Sequence, residues 1–147
     1  MITLYSSRIK IVSKRPKKNS FWASKNSLLR LWDFSQEKKS VEFYTSAFDF
    51  EVSRERDFPE YKFTLVYLTL PGSNYELELT YNYDHGAYEL GDGYGHIAIS
   101  VENLEELHKK HVEAGYDVTD LKGLPGFPPS YYFVKDPDGY KIEVIRA

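Results

Sequence analysis

The chain has 147 residues, enough for one domain with a real core and too few for two. Apolar residues at 41% and charged residues at 28% are ordinary for a soluble globular protein, and no apolar run approaches the roughly 18–20 residues that a bilayer span requires. There is no cysteine, which excludes disulfides and thiolate metal sites. Any metal must therefore be held by imidazole or oxygen donors, a set suited to hard or borderline divalent ions.

The net charge of −3 conceals an asymmetry. Residues 1–39 carry ten Lys or Arg against Asp33 and Glu37, whereas the remainder carries nine against twenty acids. The basic stretch has no clean periodicity. Residues 1–26 are read as an extension outside the domain, disordered or not native to it, and 27–147 as a single domain. No nucleic-acid or membrane partner is expected, and a cytoplasmic setting is.

From Ser40 the pattern becomes legible. Val41, Phe43, Tyr44, Ala47 and Phe48 recur at helical spacing and predict a helix from about Glu37 to Phe48. Glu51–Asp57 reads as a short polar strand and Phe58-Pro59-Glu60 as a turn. Tyr61–Leu70 is a β-prone run closed by Pro71-Gly72, and Tyr75–Tyr81 alternates as a strand with one functional or wet face. After a loop rich in Gly, Asp and Tyr the pattern restarts. His96–Val101 is a strand, and Leu104, Leu107, Val112 and Ala114 mark a helix that Gly115 stops. Tyr116–Thr119, Tyr131–Lys135 and Tyr140–Ile145 follow as strands, the last two joined by the tight turn Asp136-Pro137-Asp138-Gly139. The elements describe one unit repeated twice: an α+β fold of paired β-α-β-β-β modules forming a curled mixed sheet.

Three residues fall at equivalent ends of the repeat: Glu78, Glu143 and His96. Each Glu is flanked by apolar neighbours, Leu77 and Leu79 or Ile142 and Val144, so period-two alternation turns it to the opposite face. A lone Glu on such a strand is ordinarily solvent-facing, and a lone His at a strand start is ordinarily a hydrogen-bonded structural residue. Two Glu and one His at matching positions point instead to a divalent metal. His108 and His111, three apart on the second helix, are read as a solvated face, and His85 as an exposed loop residue.

The segments YELELTYNYD, YGHIAISV and DPDGYKIEVI together resemble the vicinal-oxygen-chelate superfamily and, within it, the short bacterial class of glyoxalase I. The resemblance covers Ser40 to Ile145. It implies the glyoxalase/bleomycin-resistance-like fold, a homodimer with active sites across its interface, and metal ligands at Glu78, His96 and Glu143. It makes Glu143 the catalytic base and Asn82 a contact to the thiol part of the substrate. The implied reaction converts the hemithioacetal of methylglyoxal and glutathione, or a similar thiol, to S-lactoylglutathione, with nickel or cobalt ahead of zinc. A non-catalytic small-molecule or drug-binding protein and a metal-dependent dioxygenase are the alternatives on this fold.

One feature departs from the family. His96 precedes Glu143 by 47 residues, which places the counterpart of His96 in the first module near residue 31, and family spacing places it at Leu29. Neither Leu28, Leu29, Arg30 nor Leu31 ligates a divalent metal well, and Asp33 stands where the family has a substrate-binding Arg. Weak metal binding through three ligands and water is the expectation.

Overall fold

Helix α1 (Gln36–Phe48) buries Ser40, Phe43, Tyr44, Ala47 and Phe48. This is the i, i+3, i+4, i+7, i+8 stripe of a helix lying on a core. The chain is described here from a computed structural model, which covers residues 10–13 and 36–147. After α1 come β2 (Glu51–Phe58), a 3-10 turn at Pro59–Tyr61, β3 (Phe63–Thr69) and β4 (Tyr75–Asn82). The second module holds β5 (Ile97–Val101), α2 (Leu104–Glu113), β6 (Tyr131–Lys135) and β7 (Lys141–Arg146). Ahead of α1 lies a short strand, β1 (Lys10–Ser13). Among the described residues no helix is long and apolar enough to cross a membrane.

The described strands form two sheets, in keeping with the expected α+β fold. One is antiparallel throughout, in the order β1-β4-β3-β2; the other has the order β5-β7-β6, with β5 parallel and β6 antiparallel to β7. The repeat predicts that the strand beside β4 runs parallel to it, as β5 does to β7. Instead β1 pairs antiparallel, with Lys10 opposite Glu78. β1 comes from the basic 1–26 segment, so four residues set apart from the domain by their composition take part in its sheet. The position near residues 29–31 lies outside the described residues.

The expected strand Tyr116–Thr119 is reduced to one bridge, Val118 to Val134. Two backbone bonds hold the bridge, from Thr119 N–H to the Phe133 carbonyl at 2.9 Å and from Lys135 N–H to the Asp117 carbonyl at 3.0 Å, and side chains add to them. The Thr119 hydroxyl takes the Phe133 N–H at 3.0 Å, and His108 Nε2–H donates to the Thr119 carbonyl at 2.9 Å.

Helix α2 corrects another expectation. Its inward stripe is Leu104, Leu107, His108 and His111, whereas Val112 is 51% exposed. His111 is buried because both ring nitrogens are satisfied. Nε2–H donates to the Ala47 carbonyl of α1 at 2.8 Å, and the Tyr132 hydroxyl donates to Nδ1 at 3.0 Å. Burial lowers the His111 pKa, so the ring stays neutral. The solvated face read for His108 and His111 is therefore an interior one.

The two modules share one core, in which Val66, Leu68, Leu77 and Leu79 meet Ile97, Leu104, Val134, Ile142 and Val144 around α1. A polar staple crosses the same boundary. Asp136, 6% exposed, accepts the backbone N–H groups of Asp138 at 3.0 Å and Tyr140 at 2.8 Å through Oδ1, and the Tyr44 hydroxyl at 3.0 Å through Oδ2. The Ser40 hydroxyl donates to Asp138 at 2.9 Å. The Asp-Pro-Asp-Gly turn thus holds α1 to the second module, with Gly139 at φ 89° closing it.

Burial pushes the Asp136 pKa up to about 6, against the pull of the Tyr140 and Tyr44 hydrogen bonds. Its folded value lies above that of an unfolded aspartate, about 3.9, so its contribution is full below that value and is lost as pH rises through about 6. Relative to Asp136→Asn, the wild-type chain should lose roughly 2–3 kcal/mol of stability between about pH 4 and about pH 7 in urea titrations. Parallel pH profiles would contradict this.

For His111 the sign is opposite: its folded value is depressed, and its contribution is present above about pH 6.5 and lost on acidification. His111→Leu strands the Ala47 carbonyl and the Tyr132 hydroxyl and should cost about 2–4 kcal/mol near neutral pH. Thermal melts of the variant across pH check both the loss and its disappearance in acid.

Candidate active site

On β4 the odd residues Leu77 and Leu79 face the core, and Glu78 and Asn82 stand on the other face, partly buried. On β7 Ile142 and Val144 are fully buried, and Glu143 turns the other way, its side chain 23% exposed. The alternation read from the sequence is therefore the arrangement of the fold.

His96, immediately before β5, joins the Glu143 side. β5 and β7 pair in parallel with Ala98 opposite Glu143, so His96 emerges on the same face and its Nε2 lies 3.1 Å from Glu143 Oε2. Phe133 is directly across from Glu143 on β6 and packs its ring edge-to-face with His96, centroids 5.5 Å apart. One imidazole nitrogen and one carboxylate oxygen are thereby held side by side at a half-exposed position.

Glu78 belongs to the other sheet and does not join this pair. Among the described residues no group of three or more His, Asp or Glu is gathered as a metal site. The three expected ligands are present as two halves: His96 with Glu143, and Glu78 alone. The chemistry of the set, one imidazole and two carboxylates with no thiolate, fits a divalent ion of the borderline class. Each half stands on a strand whose back is committed to the core.

Asn82 closes β4. Its Nδ2 donates to the Tyr88 hydroxyl at 2.7 Å, and the Tyr88 ring stacks on His85 with centroids 3.9 Å apart. The Asn82 amide oxygen is thus oriented by the loop that follows it. His85 is exposed, as expected, but it is a stacking partner and not simply a loop residue.

Several neighbours escape a reading of the sequence alone. Tyr67 is directly opposite Glu78 on β3, and Arg54 lies opposite Tyr67 on β2. Tyr61–Leu70 is apolar on both faces, so alternation does not mark Tyr67. Arg54 is brought to this face by a register shift between Val52 and Arg54 that no local motif announces. Tyr88 had a visible signal in its aromatic-rich loop but no assignable partner.

Two modules of this order, with paired acids on equivalent strands, define a class. The family model described as Glyoxalase/Bleomycin resistance protein/Dioxygenase superfamily matches residues 35–144, and the chain belongs to that superfamily. Within it, the chain is 40% identical over 124 residues to a lactoylglutathione lyase of Escherichia coli O157:H7, an alignment covering 82% of this chain and 90% of that protein. Among solved structures it is similar to the trypanothione-dependent glyoxalase I of Leishmania major, with a TM-score of 0.64 and 40% identity over 74% of this chain and 77% of the other. It also matches glyoxalase I from Zea mays, with a TM-score of 0.69 and 31% identity over 76% of this chain and 41% of that one.

Proposed function

We propose that this chain is a metal-dependent lactoylglutathione lyase that works as a homodimer. The observation that carries the reading is the His96–Glu143 pair, 3.1 Å apart, with Glu78 at the equivalent place of the other module. The 40% identity to a lactoylglutathione lyase supports the same reaction. Because the donors form two halves on separate sheets, Glu78 of one protomer completes the site with His96 and Glu143 of the other.

A divalent ion held by Glu78, His96 and Glu143, nickel or cobalt ahead of zinc, would supply a Lewis acid for the substrate's adjacent oxygens. The chain's own residues do the rest. The substrate is the adduct of methylglyoxal with a thiol, its sulfur and hydroxyl on one carbon beside a ketone. The Glu143 carboxylate takes the proton from the sulfur-bearing carbon and returns it to the neighbouring carbon. One C–H bond breaks and another forms, the hydroxyl proton passes to the former ketone oxygen to make the alcohol, and the sulfur-bearing carbon becomes the thioester carbonyl. No oxidant or reductant is consumed. The Asn82 amide oxygen, with its nitrogen already given to Tyr88, is oriented to accept from an N–H of the thiol moiety.

The thiol itself divides the relatives. Proteins with equal identity to this chain are a lactoylglutathione lyase and a trypanothione-dependent glyoxalase I. We assign glutathione as substrate thiol, with trypanothione as the comparison in the assay. The setting is taken to be cytoplasmic.

Isomerisation of methylglyoxal adducts of both thiols, followed by thioester absorbance with nickel, cobalt and zinc added in turn, tests the reading. Turnover with at least one metal is expected. Glu143→Gln should reduce kcat by about 10²–10⁴-fold through loss of the proton acceptor. Asn82→Ala should raise KM with little change in kcat, since it removes binding common to ground and transition states. No turnover with any metal or thiol would overturn the assignment.

A further inference from the structure

The loop that follows β4 folds back on the strand's last residue. Asn82 pairs with Phe63 of β3, and its Nδ2 donates to the Tyr88 hydroxyl at 2.7 Å. The Tyr88 ring lies flat on the His85 imidazole, with centroids 3.9 Å apart and planes 12° from parallel. His85 Nδ1–H donates to the Gly86 carbonyl at 2.7 Å, which holds the imidazole in turn. The contacts run unbroken from the loop backbone through two stacked rings to the Asn82 amide.

The root of this loop is pinned to β3 and to the turn before it. Tyr83 N–H donates to the Lys62 carbonyl at 2.8 Å. The Tyr83 hydroxyl is hydrogen-bonded to the buried Thr64 hydroxyl at 2.9 Å, and also to Asp57. Lys62 and Asp84 both take left-handed backbone, at φ 56° and 55°, and their side chains pair at 3.0 Å. Residues other than glycine seldom adopt this conformation, and it persists where the surroundings over-determine it. The reversal at Asp84 returns the chain so that Tyr88 meets Asn82.

The fold itself has little need of this arrangement. Asn82 is only partly buried and His85 is exposed, so water would satisfy the amide at little cost. Ordering two rings around one such amide adds little net stability. What it provides is orientation: Nδ2 is committed to Tyr88, and among the described residues nothing donates to the amide oxygen.

We propose that Tyr88, clamped by His85, is a positioning residue that presents the Asn82 amide oxygen to an N–H of the substrate's thiol part. The inference rests on the reading of Asn82 as a substrate contact. It assigns the stacked pair to thiol affinity and leaves proton transfer to Glu143.

The test is affinity for S-methylglutathione, a thioether that cannot isomerise, by calorimetry on the full-length protein with nickel added, and melting temperatures alongside. Asn82→Ala should weaken binding about tenfold through loss of the hydrogen bond. Tyr88→Phe keeps the ring but frees the amide to turn, and should weaken binding about three- to fivefold at unchanged melting temperature. His85→Ala should match Tyr88→Phe, and His85→Phe, which keeps a stacking face, should restore binding. The double variant Asn82→Ala with Tyr88→Phe should be no weaker than Asn82→Ala alone, because Tyr88 acts through the amide. Wild-type affinity in Tyr88→Phe, beside a loss in Asn82→Ala, would overturn the positioning role and leave the substrate contact standing. Wild-type affinity in Asn82→Ala, or no binding by the wild-type chain, would overturn the contact and this inference with it. Additive losses in the double variant would overturn the relay through Asn82, and failure of His85→Phe to restore binding would overturn the clamp.

Discussion

The structure depends on a division of labour across β4 and β7. Each strand presents its apolar residues to one shared core, and the same alternation leaves a carboxylate on the opposite face. Leu77, Leu79, Ile142 and Val144 are all buried, each worth about 1.5–3 kcal/mol relative to exposure. A one-residue slip of either strand would move a glutamate into the core and a leucine or valine out of it. The register that stabilises the fold is therefore the register that places Glu78 and Glu143. Site and core are two faces of one constraint.

Two buried polar groups then hold the modules to each other. Asp136 ties the β6–β7 turn to Tyr44 of α1, and His111 ties α2 to the Ala47 carbonyl of α1 and to Tyr132 of β6. Both have hydrogen-bond partners at each ring nitrogen or carboxylate oxygen, which is the condition for keeping polar groups in a core, although burial still disfavours their charged forms. Their titrations pull stability in opposite directions with pH. The Asp-Pro-Asp-Gly sequence thus has a structural duty: it carries the second module's last strand, and Glu143 with it, at a fixed place relative to α1.

The helices, six of the strands and the outward turn of both glutamates were legible in the sequence because each follows from a period that burial enforces. Glu78, His96 and Glu143 stood out by their matching places in the repeat, and Asn82 by the family resemblance alone. What was hidden has local causes. His111 reads as polar, yet it fills the helix stripe once two partners from distant segments meet its nitrogens. Tyr67 lies in a run apolar on both faces, and Arg54 reaches it through a shift in strand register that depends on the neighbouring strand. The antiparallel direction of β1 has no signature in four residues. The separation of Glu78 from its two companions is also beyond periodicity, which orders faces within a sheet and not sheets relative to each other.

That separation leads to the central claim, that two copies of the chain share each site. Mixing two variants tests it most directly: Glu78→Gln and Glu143→Gln, each inactive alone, combined in equal amounts and allowed to exchange subunits. If Glu78 of one protomer serves His96 and Glu143 of the other, half of the mixed population is heterodimer with one intact site in two, and activity should return to about one quarter of wild type. If each chain builds its own site, both variants stay inactive in every combination, and the mixture will show no recovery.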